Sequence, residues 1–455
     1  MFPGTPSMSP EPATPPLVPS RCQIAVPLLL VPCLLLFAAH CYRAGLAGLA
    51  ACAIVWGIAT LFRSAWMRPV SFVALLAIAV EWFVTCNQFM QIRMAMGAPW
   101  LRLVLILGTV AALALGTALL LTLNPGKSWF CKKTESCGRQ CTAFALVLLI
   151  MLPIWLKMPY MLLAERLVPG AAILQVLLAA FWAALVCDWL GNRSLAHKRR
   201  LLIWRLFSVV FFGQFALACL GYGLFAMTGS LHIPVPGVIV AGAIYRGETG
   251  FMLMLFLATI LLLGPAWCSH LCYFGSWDAA AADRKRQAEK RLHPLFWRLC
   301  MLGLVIACTF ALRLSGAPLS LAMACALLLG LFLLPCALFW SRRYGQACYC
   351  TLFCPLGLLA CVAGKIAPWR VRITKACTQC GACTRVCRYG ALDMDRIRKG
   401  SPGLSCVLCR NCINACPHQG MQLVWAGRSW QGYAESLFVS LASALHASFL
   451  FLAMV

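Results

Sequence analysis

Two stretches of this sequence decide the interpretation of the rest: CTQCGACTRVC at residues 377–387 and CVLCRNCINACP at residues 406–417. Each has four cysteines in the spacing C-x2-C-x2-C-x3-C. Bacterial proteins use this spacing to surround a 4Fe-4S cubane. Three close cysteines wrap one face of a cubane, and the fourth ligand arrives from elsewhere in the chain. The tandem runs therefore predict two 4Fe-4S clusters.

In two-cluster bacterial ferredoxins, the fourth ligand of each cluster comes from the other run. The predicted ligands are Cys377, Cys380, Cys383 and Cys416 for one cluster, and Cys406, Cys409, Cys412 and Cys387 for the other. A structural zinc site is the alternative, although zinc sites rarely use this spacing twice in tandem. Arg388 stands where proline often follows the fourth cysteine, so we expect one cluster to have a shifted potential.

The composition is that of a membrane protein. Of the 455 residues, 62% are hydrophobic and 11% are charged, whereas soluble domains are nearer half apolar. Apolar runs long enough to cross about 30 Å of hydrocarbon recur along the chain, and helices are the expected spanning element. About eleven spans are predicted by this length criterion. They are 24–40, 44–62, 70–92, 103–123, 142–163, 171–190, 206–228, 251–267, 297–313, 320–340 and 436–454.

The predicted fold class is therefore mainly α, a polytopic transmembrane helical protein with a small cytoplasmic α+β domain of the two-cluster bacterial-ferredoxin type. Hydrophobic runs stop between Ile366 and Gly432, where cysteine spacing becomes regular. Five segments are predicted. They are a disordered cytoplasmic tail (1–22), an N-terminal transmembrane helical domain (23–200), a transmembrane domain with two C-x3-C motifs (201–366), the ferredoxin-type domain (367–432) and a C-terminal transmembrane or membrane-associated helix (433–455).

The formal charge of +26 is carried mostly by short loops between apolar runs, which favours membrane orientation over nucleic-acid binding. The most basic loops, 193–205 and 283–291, are predicted to lie on the cytoplasmic side of a bacterial inner membrane. The basic ferredoxin-type segment is predicted to lie on the same, cytoplasmic side. Cytoplasmic thiols stay reduced, so its cysteines are better interpreted as metal ligands than as disulfides. Its basic residues either dock an acidic electron donor or face anionic lipid.

A second pair of motifs lies at predicted cytoplasmic helix ends: Cys268-x3-Cys272 and Cys350-x3-Cys354-Pro355. Together with the two runs, they make the sequence resemble the membrane polyferredoxins. These are related to the nitrous oxide reductase regulator, the quinol-oxidising membrane subunit of periplasmic nitrate reductase and the cytochrome oxidase accessory ferredoxin-like protein. That family pairs two C-x3-C-P motifs with two ferredoxin runs, and the resemblance covers roughly residues 204–424. Tyr273 replaces the first proline, and no flavin-binding domain is evident.

Cysteines four apart on a helix share a face, so each C-x3-C motif is expected to present two thiolates together. Two such pairs make four ligands. Three interpretations stay open for Cys268, Cys272, Cys350 and Cys354: a third cluster, redox-active dithiols, or reduced thiols without a ligand.

Other candidate residues carry weaker signals. Glu81 lies mid-span and is a candidate proton or quinone site, or else a partner of Gln88 or Arg93. Three cysteines of a basic loop, with Cys187 as a candidate fourth, are interpreted mainly as incidental thiols. They are Cys131, Cys137 and Cys141. The polar segment 231–250 is predicted to be an outer loop, or a docking place for a periplasmic partner or a quinone headgroup.

The predicted function is that of a membrane-bound iron–sulfur electron-transfer protein. It passes electrons between a cytoplasmic donor or the quinone pool and a partner oxidoreductase, an exchange that the family resemblance implies. The sequence has no dinucleotide fingerprint and no phosphate loop, so a component of an oxidoreductase system is favoured over a stand-alone enzyme. The alternative is a maturation factor whose thiols and clusters reduce a metal or thiol of a respiratory enzyme.

Overall fold

A computed structural model describes residues 21–130, 137–225, 235–248, 250–285 and 294–452. The predicted tail, apart from its last two residues, lies outside these ranges. The chain divides into two compact units, Met1–Cys137 and Gly138–Val455.

The first unit consists of helices joined by short turns. They are α1 (Arg21–Arg43), α2 (Ala47–Thr60), α3 (Met67–Ala95), α4 (Leu101–Thr122) and α5 (Asn124–Trp129). Polar contacts join them inside the unit. The Cys33 thiol lies 3.6 Å from the Thr117 hydroxyl, and the Trp56 indole donates to Ser71 at 3.0 Å.

The second unit contains the longer series of helices and the one sheet of the described chain. The helices are α6 (Cys137–Lys157), which begins at the boundary, α7 (Leu163–Leu167), α8 (Ala172–Gly191), α9 (Ala196–Cys219), α10 (Val238–Arg246), α11 (Phe251–Leu263), α12 (Trp267–His270), α13 (Tyr273–Asp283), α14 (Pro294–Leu314), α15 (Leu319–Tyr344), α16 (Pro355–Ala363), α17 (Ala382–Val386), α18 (Met394–Arg398), α19 (Asn411–Asn414) and α20 (Tyr433–Leu452). Strands β1 (Trp369–Ile373) and β2 (Met421–Trp425) pair antiparallel.

Within the described ranges, ten helical segments are long and apolar enough to cross a membrane. This confirms the predicted fold class, and the protein is a multi-pass membrane protein. The predicted span 44–62 is shorter than expected, because α2 has 14 residues and rises only about 21 Å. It is bounded by Gly45 and Arg63, which both have positive φ angles.

The boundary before α9 also differs from the sequence prediction. The basic residues 197–200, placed in a loop by the hydropathy pattern, form the first turns of this helix. Arg200 is buried there, and its guanidinium donates to the Ser269 carbonyl at 2.7 Å.

One hydrophobic core joins the spanning helices of the second unit to the small cysteine-rich domain. Trp369 of β1 is buried against Phe438 of α20, with ring centroids 5.3 Å apart. Its indole donates to the Leu262 carbonyl at 2.7 Å. Because the sheet is anchored in this way, the cysteine runs between its strands are held directly against the helix ends.

Candidate iron–sulfur sites

The two cysteine runs lie between β1 and β2 and share one backbone conformation. Gln379 and Gly381 have φ angles of 57° and 72°, and the matching residues Leu408 and Arg410 have 51° and 65°. Positive φ on both sides of the second cysteine curls each run tightly. Alternation of this kind turns successive backbone N–H groups toward one point, which makes a concavity suited to an anionic group.

The cysteines of the runs line two small cavities. Cys377, Cys380, Cys383 and Cys416 surround one cavity, and Cys387, Cys406, Cys409 and Cys412 surround the other. These are the two sets of the swapped arrangement. Four soft thiolates facing a small cavity suit a 4Fe-4S cluster, so the donor chemistry fits the group that the spacing predicts.

Burial raises the pKa of cysteine thiols that line these cavities. It raises the pKa of the Cys412 thiol well above its usual value, and neighbouring thiolates, among them Cys383 of the other set, raise it further. Burial also raises the pKa of Cys406, with added contributions from Cys409, Cys387 and Cys361. Thiolates in such places need a positive charge to compensate them, as a metal centre does.

The C-x3-C motifs do not lie on continuous helices, contrary to the helix-face geometry expected from their spacing. Cys268 is in the single turn of α12, whereas Cys272 is the residue before α13 and has an extended backbone. Cys350 lies in a π-helical turn (Tyr349–Phe353), and Cys354 is the residue before α16. Each pair therefore spans a helix junction.

The two junctions have the same local design. Burial raises the pKa of Cys272 and of Cys354; the backbone N–H groups of Gly275 and Phe274 oppose that rise at Cys272, and those of Gly357 and Leu356 oppose it at Cys354. Each second cysteine thus lies at a helix N-terminus, where N–H groups stabilise a thiolate. Tyr273 takes the place that Pro355 has in the second motif, at the first position of the helix.

Glycine is required three residues after each second cysteine. A Cβ atom on Gly275 would lie 2.8 Å from the Cys268 carbonyl oxygen, and one on Gly357 would lie 2.9 Å from that of Cys350. Each helix therefore packs directly on the backbone of the first cysteine in its own motif.

The four cysteines of these motifs come together with a fifth that the sequence analysis missed. All four are buried, with relative exposures of 4–6%. Burial raises the pKa of Cys350 well above its usual value, and the Asp278 carboxylate and the thiolates of Cys272, Cys354 and Cys268 add to this effect. The fifth is Cys361 of α16, also buried. It follows Cys354 by seven residues, two helical turns, and that spacing is the signal that could have found it.

Charged side chains buried beside this group were also missed. Asp278 accepts hydrogen bonds from the Cys350 N–H at 2.8 Å and from the Ser341 hydroxyl, and burial raises its pKa to about 6. The Arg298 guanidinium, 2% exposed, donates to the Cys350 carbonyl at 2.7 Å. Its Nη1 lies 4.0 Å from the Cys361 sulfur. Burial raises the pKa of Cys354 to about 11, and Arg298 opposes that rise.

Direct contacts join the membrane-edge group to the second cysteine run. The Ser269 hydroxyl, next to Cys268, donates to the Val407 carbonyl at 2.7 Å. The side chain of Leu408 packs on Gly264, the residue with a positive φ of 67° at which α11 ends. A Cβ atom on Gly264 would lie only 3.2 Å from the Leu408 side chain. The C-x3-C motifs and the ferredoxin-type runs are therefore adjacent.

Ionic contacts hold the same domain on neighbouring helix ends. Arg410, 4% exposed, forms an ion pair with Glu435 of α20. Arg388 donates to the Lys285 carbonyl at 2.7 Å and lies 3.5 Å from the Asp283 carboxylate, which also pairs with His197 at 2.9 Å. Arg388 thus attaches the first run to α13, a contact that proline at this position would lack.

The remaining candidates lie elsewhere. Glu81 is half exposed on α3, 3.6 Å from His40 and 3.5 Å from the Thr85 hydroxyl, whereas Arg93 donates to the Pro99 carbonyl. Cys137 and Cys141 begin α6, Cys131 lies outside the described residues, and the Cys187 thiol lies 3.8 Å from the Ser440 hydroxyl. Of the polar segment 231–250, the described part contains α10.

Comparison with protein families gives one match. The model of a 4Fe-4S binding domain matches residues 247–289, which include Cys268 and Cys272. A 4Fe-4S domain is present. The match lies on the first membrane-edge motif and not on the tandem runs, so two separate signals indicate iron–sulfur binding. Comparisons with curated proteins and with solved structures gave no match.

Proposed function

We propose that this membrane protein transfers electrons through three cysteine-bound 4Fe-4S centres, between the membrane and a redox partner at the cytoplasmic face of a bacterial inner membrane. The tandem runs would hold two centres, with the ligand sets named above. The membrane-edge cysteines would hold the third. A 4Fe-4S cluster held by thiolates carries one electron at a time.

The observation that carries this proposal is the unbroken series of cysteine sets. The cysteines of both runs, Cys380 excepted, and those of the membrane-edge motifs lie in or pack against one hydrophobic core. The Ser269 hydroxyl, next to Cys268, donates to the carbonyl of Val407, next to Cys406, at 2.7 Å. Cys361 lies beside Arg298 and the membrane-edge motifs. Neighbouring sets are therefore close enough to interact, as electron transfer requires.

The protein's own residues support this role by excluding water and balancing charge. A thiolate-bound cubane is anionic, and its potential depends on net charge, hydrogen bonds to sulfur and exposure. Buried guanidinium groups lie beside these cysteine sets, at Arg298, Arg388 and Arg410. The basic start of α9 and the end of α13 adjoin the same domain, which supports a cytoplasmic location under the positive-inside rule.

The test is redox titration of the full chain, purified anaerobically in detergent and followed by electron paramagnetic resonance. We expect three sets of reduced-cluster signals. Cys354→Ser should remove one set and leave the other two, whereas Cys308→Ser, which changes an exposed thiol of α14, should remove none. Wild-type protein without cluster signals, or Cys354→Ser protein with all of them, would contradict the proposal.

The alternative, reduction of a target protein's metal or thiol during its maturation, is less well supported. In that role the C-x3-C thiols must reach the target. They are almost fully buried, and burial raises the pKa of Cys272 to about 12, which leaves little thiolate at neutral pH in the absence of a metal.

A further inference from the structure

The cavity lined by Cys387, Cys406, Cys409 and Cys412 also has a tyrosine in its wall, Tyr389. This residue is only 3% exposed. Its hydroxyl oxygen is buried and has no hydrogen-bond partner within the part of the chain that the structure describes. Because buried polar groups almost always have a partner, an unpartnered hydroxyl in the wall of a cluster cavity needs an explanation.

The other polar side chains of this wall, the cysteines aside, are attached to neighbouring helices. Arg410 pairs with Glu435 of α20, and the Asn411 side-chain oxygen lies 3.2 Å from the His197 ring of α9. Among the described residues of the wall, Tyr389 is therefore the one whose polar side-chain group has no contact with the rest of the protein.

Packing on both sides of Tyr389 fixes its position. The carbonyl of Arg388 accepts a hydrogen bond from the Ala347 N–H at 2.9 Å, and a Cβ atom on Gly390 would lie 3.4 Å from the Gln346 side chain. The Tyr389 ring belongs to the hydrophobic core that joins the cysteine-rich domain to the membrane-edge motifs. Its hydroxyl is therefore held away from water.

The first cysteine run provides a matched comparison. His418 follows Cys416 by two residues, as Tyr389 follows Cys387. His418 also lines the other cavity, but it is exposed, so water can satisfy its ring. The two predicted centres thus differ at the same position of their motifs, where one has a buried phenol and the other an exposed imidazole.

We propose that the Tyr389 hydroxyl donates a hydrogen bond to a sulfur atom of the 4Fe-4S centre held by Cys387, Cys406, Cys409 and Cys412, and so raises the reduction potential of that centre. The inference rests on the proposed function and adds a residue that tunes it. Hydrogen bonds to sulfur help to set the potential of a cluster. They are stronger when the acceptor carries more negative charge, so the bond stabilises the reduced state most.

The test is a redox titration of the full chain, purified anaerobically in detergent and followed by electron paramagnetic resonance. The signal of this centre is the one that Cys409→Ser removes. Tyr389→Phe deletes only the hydroxyl and should lower the ratio of reduced to oxidised centre at a fixed potential by about threefold, which corresponds to roughly 30 mV at about 59 mV per tenfold. Tyr433→Phe, which deletes an exposed hydroxyl at the start of α20, should leave the ratio unchanged.

A second variant separates a hydrogen bond from a packing effect. 3-Fluorotyrosine in place of Tyr389 keeps the ring and has a more acidic hydroxyl, which is a stronger donor. The potential of this centre should therefore rise above the wild-type value. The fluorinated protein decides the question alone if Tyr389→Phe does not assemble the centre.

Failure of this inference is distinguishable from failure of the proposed function. A buried water molecule would satisfy the hydroxyl without contact to the cluster, and the potential would then be equal in Tyr389→Phe and wild type. Equal potentials, a fluorinated protein whose potential does not rise, or a shift confined to another centre would each overturn the inference, even where all three sets of cluster signals are present. Wild-type protein without cluster signals would contradict both.

Discussion

Replacement of Arg298 by glutamine should lower the reduction potential of the membrane-edge centre. This guanidinium is buried, donates to the Cys350 carbonyl and lies 4.0 Å from the Cys361 sulfur. A positive charge there stabilises the more negative, reduced state of an anionic cluster. Its removal should therefore favour the oxidised state.

The size of the shift follows from Coulomb's law. Unit charges 4 Å apart interact by about 4 kcal/mol at an effective dielectric constant of 20. An added electron is shared over a cluster and lies farther away than the nearest sulfur, and a doubled distance halves the energy to about 2 kcal/mol. For one electron this energy corresponds to roughly 90 mV. We expect a decrease of that order.

The assay is a redox titration followed by electron paramagnetic resonance, with two controls. Arg298→Lys keeps the charge and should shift the potential by less than half as much, and it also guards against a folding defect in Arg298→Gln. Arg342→Gln removes an exposed charge from α15 and should leave the potential unchanged. Potentials that agree within error for Arg298→Gln and wild type would refute the electrostatic role of Arg298.

Three further predictions test the fold around the sites. Gly357→Ala forces a Cβ against a carbonyl oxygen 2.9 Å away, so it should destabilise the protein by about 1–3 kcal/mol. Gly213→Ala, with open space around it, should not lower the thermal unfolding midpoint in detergent. Glu435→Gln leaves the guanidinium of Arg410 buried without its counter-ion and should cost about 3–5 kcal/mol. The expected readout is faster proteolysis of the cysteine-rich domain, and an unchanged rate would contradict the docking role. Cys416→Ser should remove about four irons per chain, and full iron content would show that this cysteine is not a ligand.

The sequence alone predicted the polytopic helical fold and the composition of the two ferredoxin cysteine sets that line the cavities. Both signals are local. Spans depend on apolar length, and the runs depend on spacing within about a dozen residues. The swap between runs needed only the rule that the fourth ligand comes from the other run. Whether these sets bind clusters stays a prediction.

The details of the membrane-edge group were not predictable in the same way. Asp278 accepts a hydrogen bond from the Cys350 N–H, and Ser341, which donates to Asp278, accepts one from the Cys348 N–H. Hydropathy does not indicate contacts of this kind. The prediction that each C-x3-C pair lies on one helix face was wrong for a reason visible in one motif. A residue before proline disfavours helical conformation, so Pro355 already indicated an extended Cys354.

Hydropathy also misjudged helix ends where charged residues are buried by packing. Arg200 belongs to α9 because its guanidinium finds a backbone carbonyl at the end of α12. In the hydropathy pattern alone, Arg200 resembles a charged residue of a loop. Arg298, inside a predicted span, was a similar signal: an ionisable residue within a span usually has a functional partner.

The most direct test of the central claim is the iron and acid-labile sulfide content of the full chain after anaerobic purification, with Cys354→Ser measured beside it. Three centres predict about twelve irons per wild-type chain and about eight in the variant. About eight irons in both proteins, with the membrane-edge thiols free to alkylation after unfolding, would contradict a third centre. Fewer than four irons in the wild type would contradict the electron-transfer account as a whole.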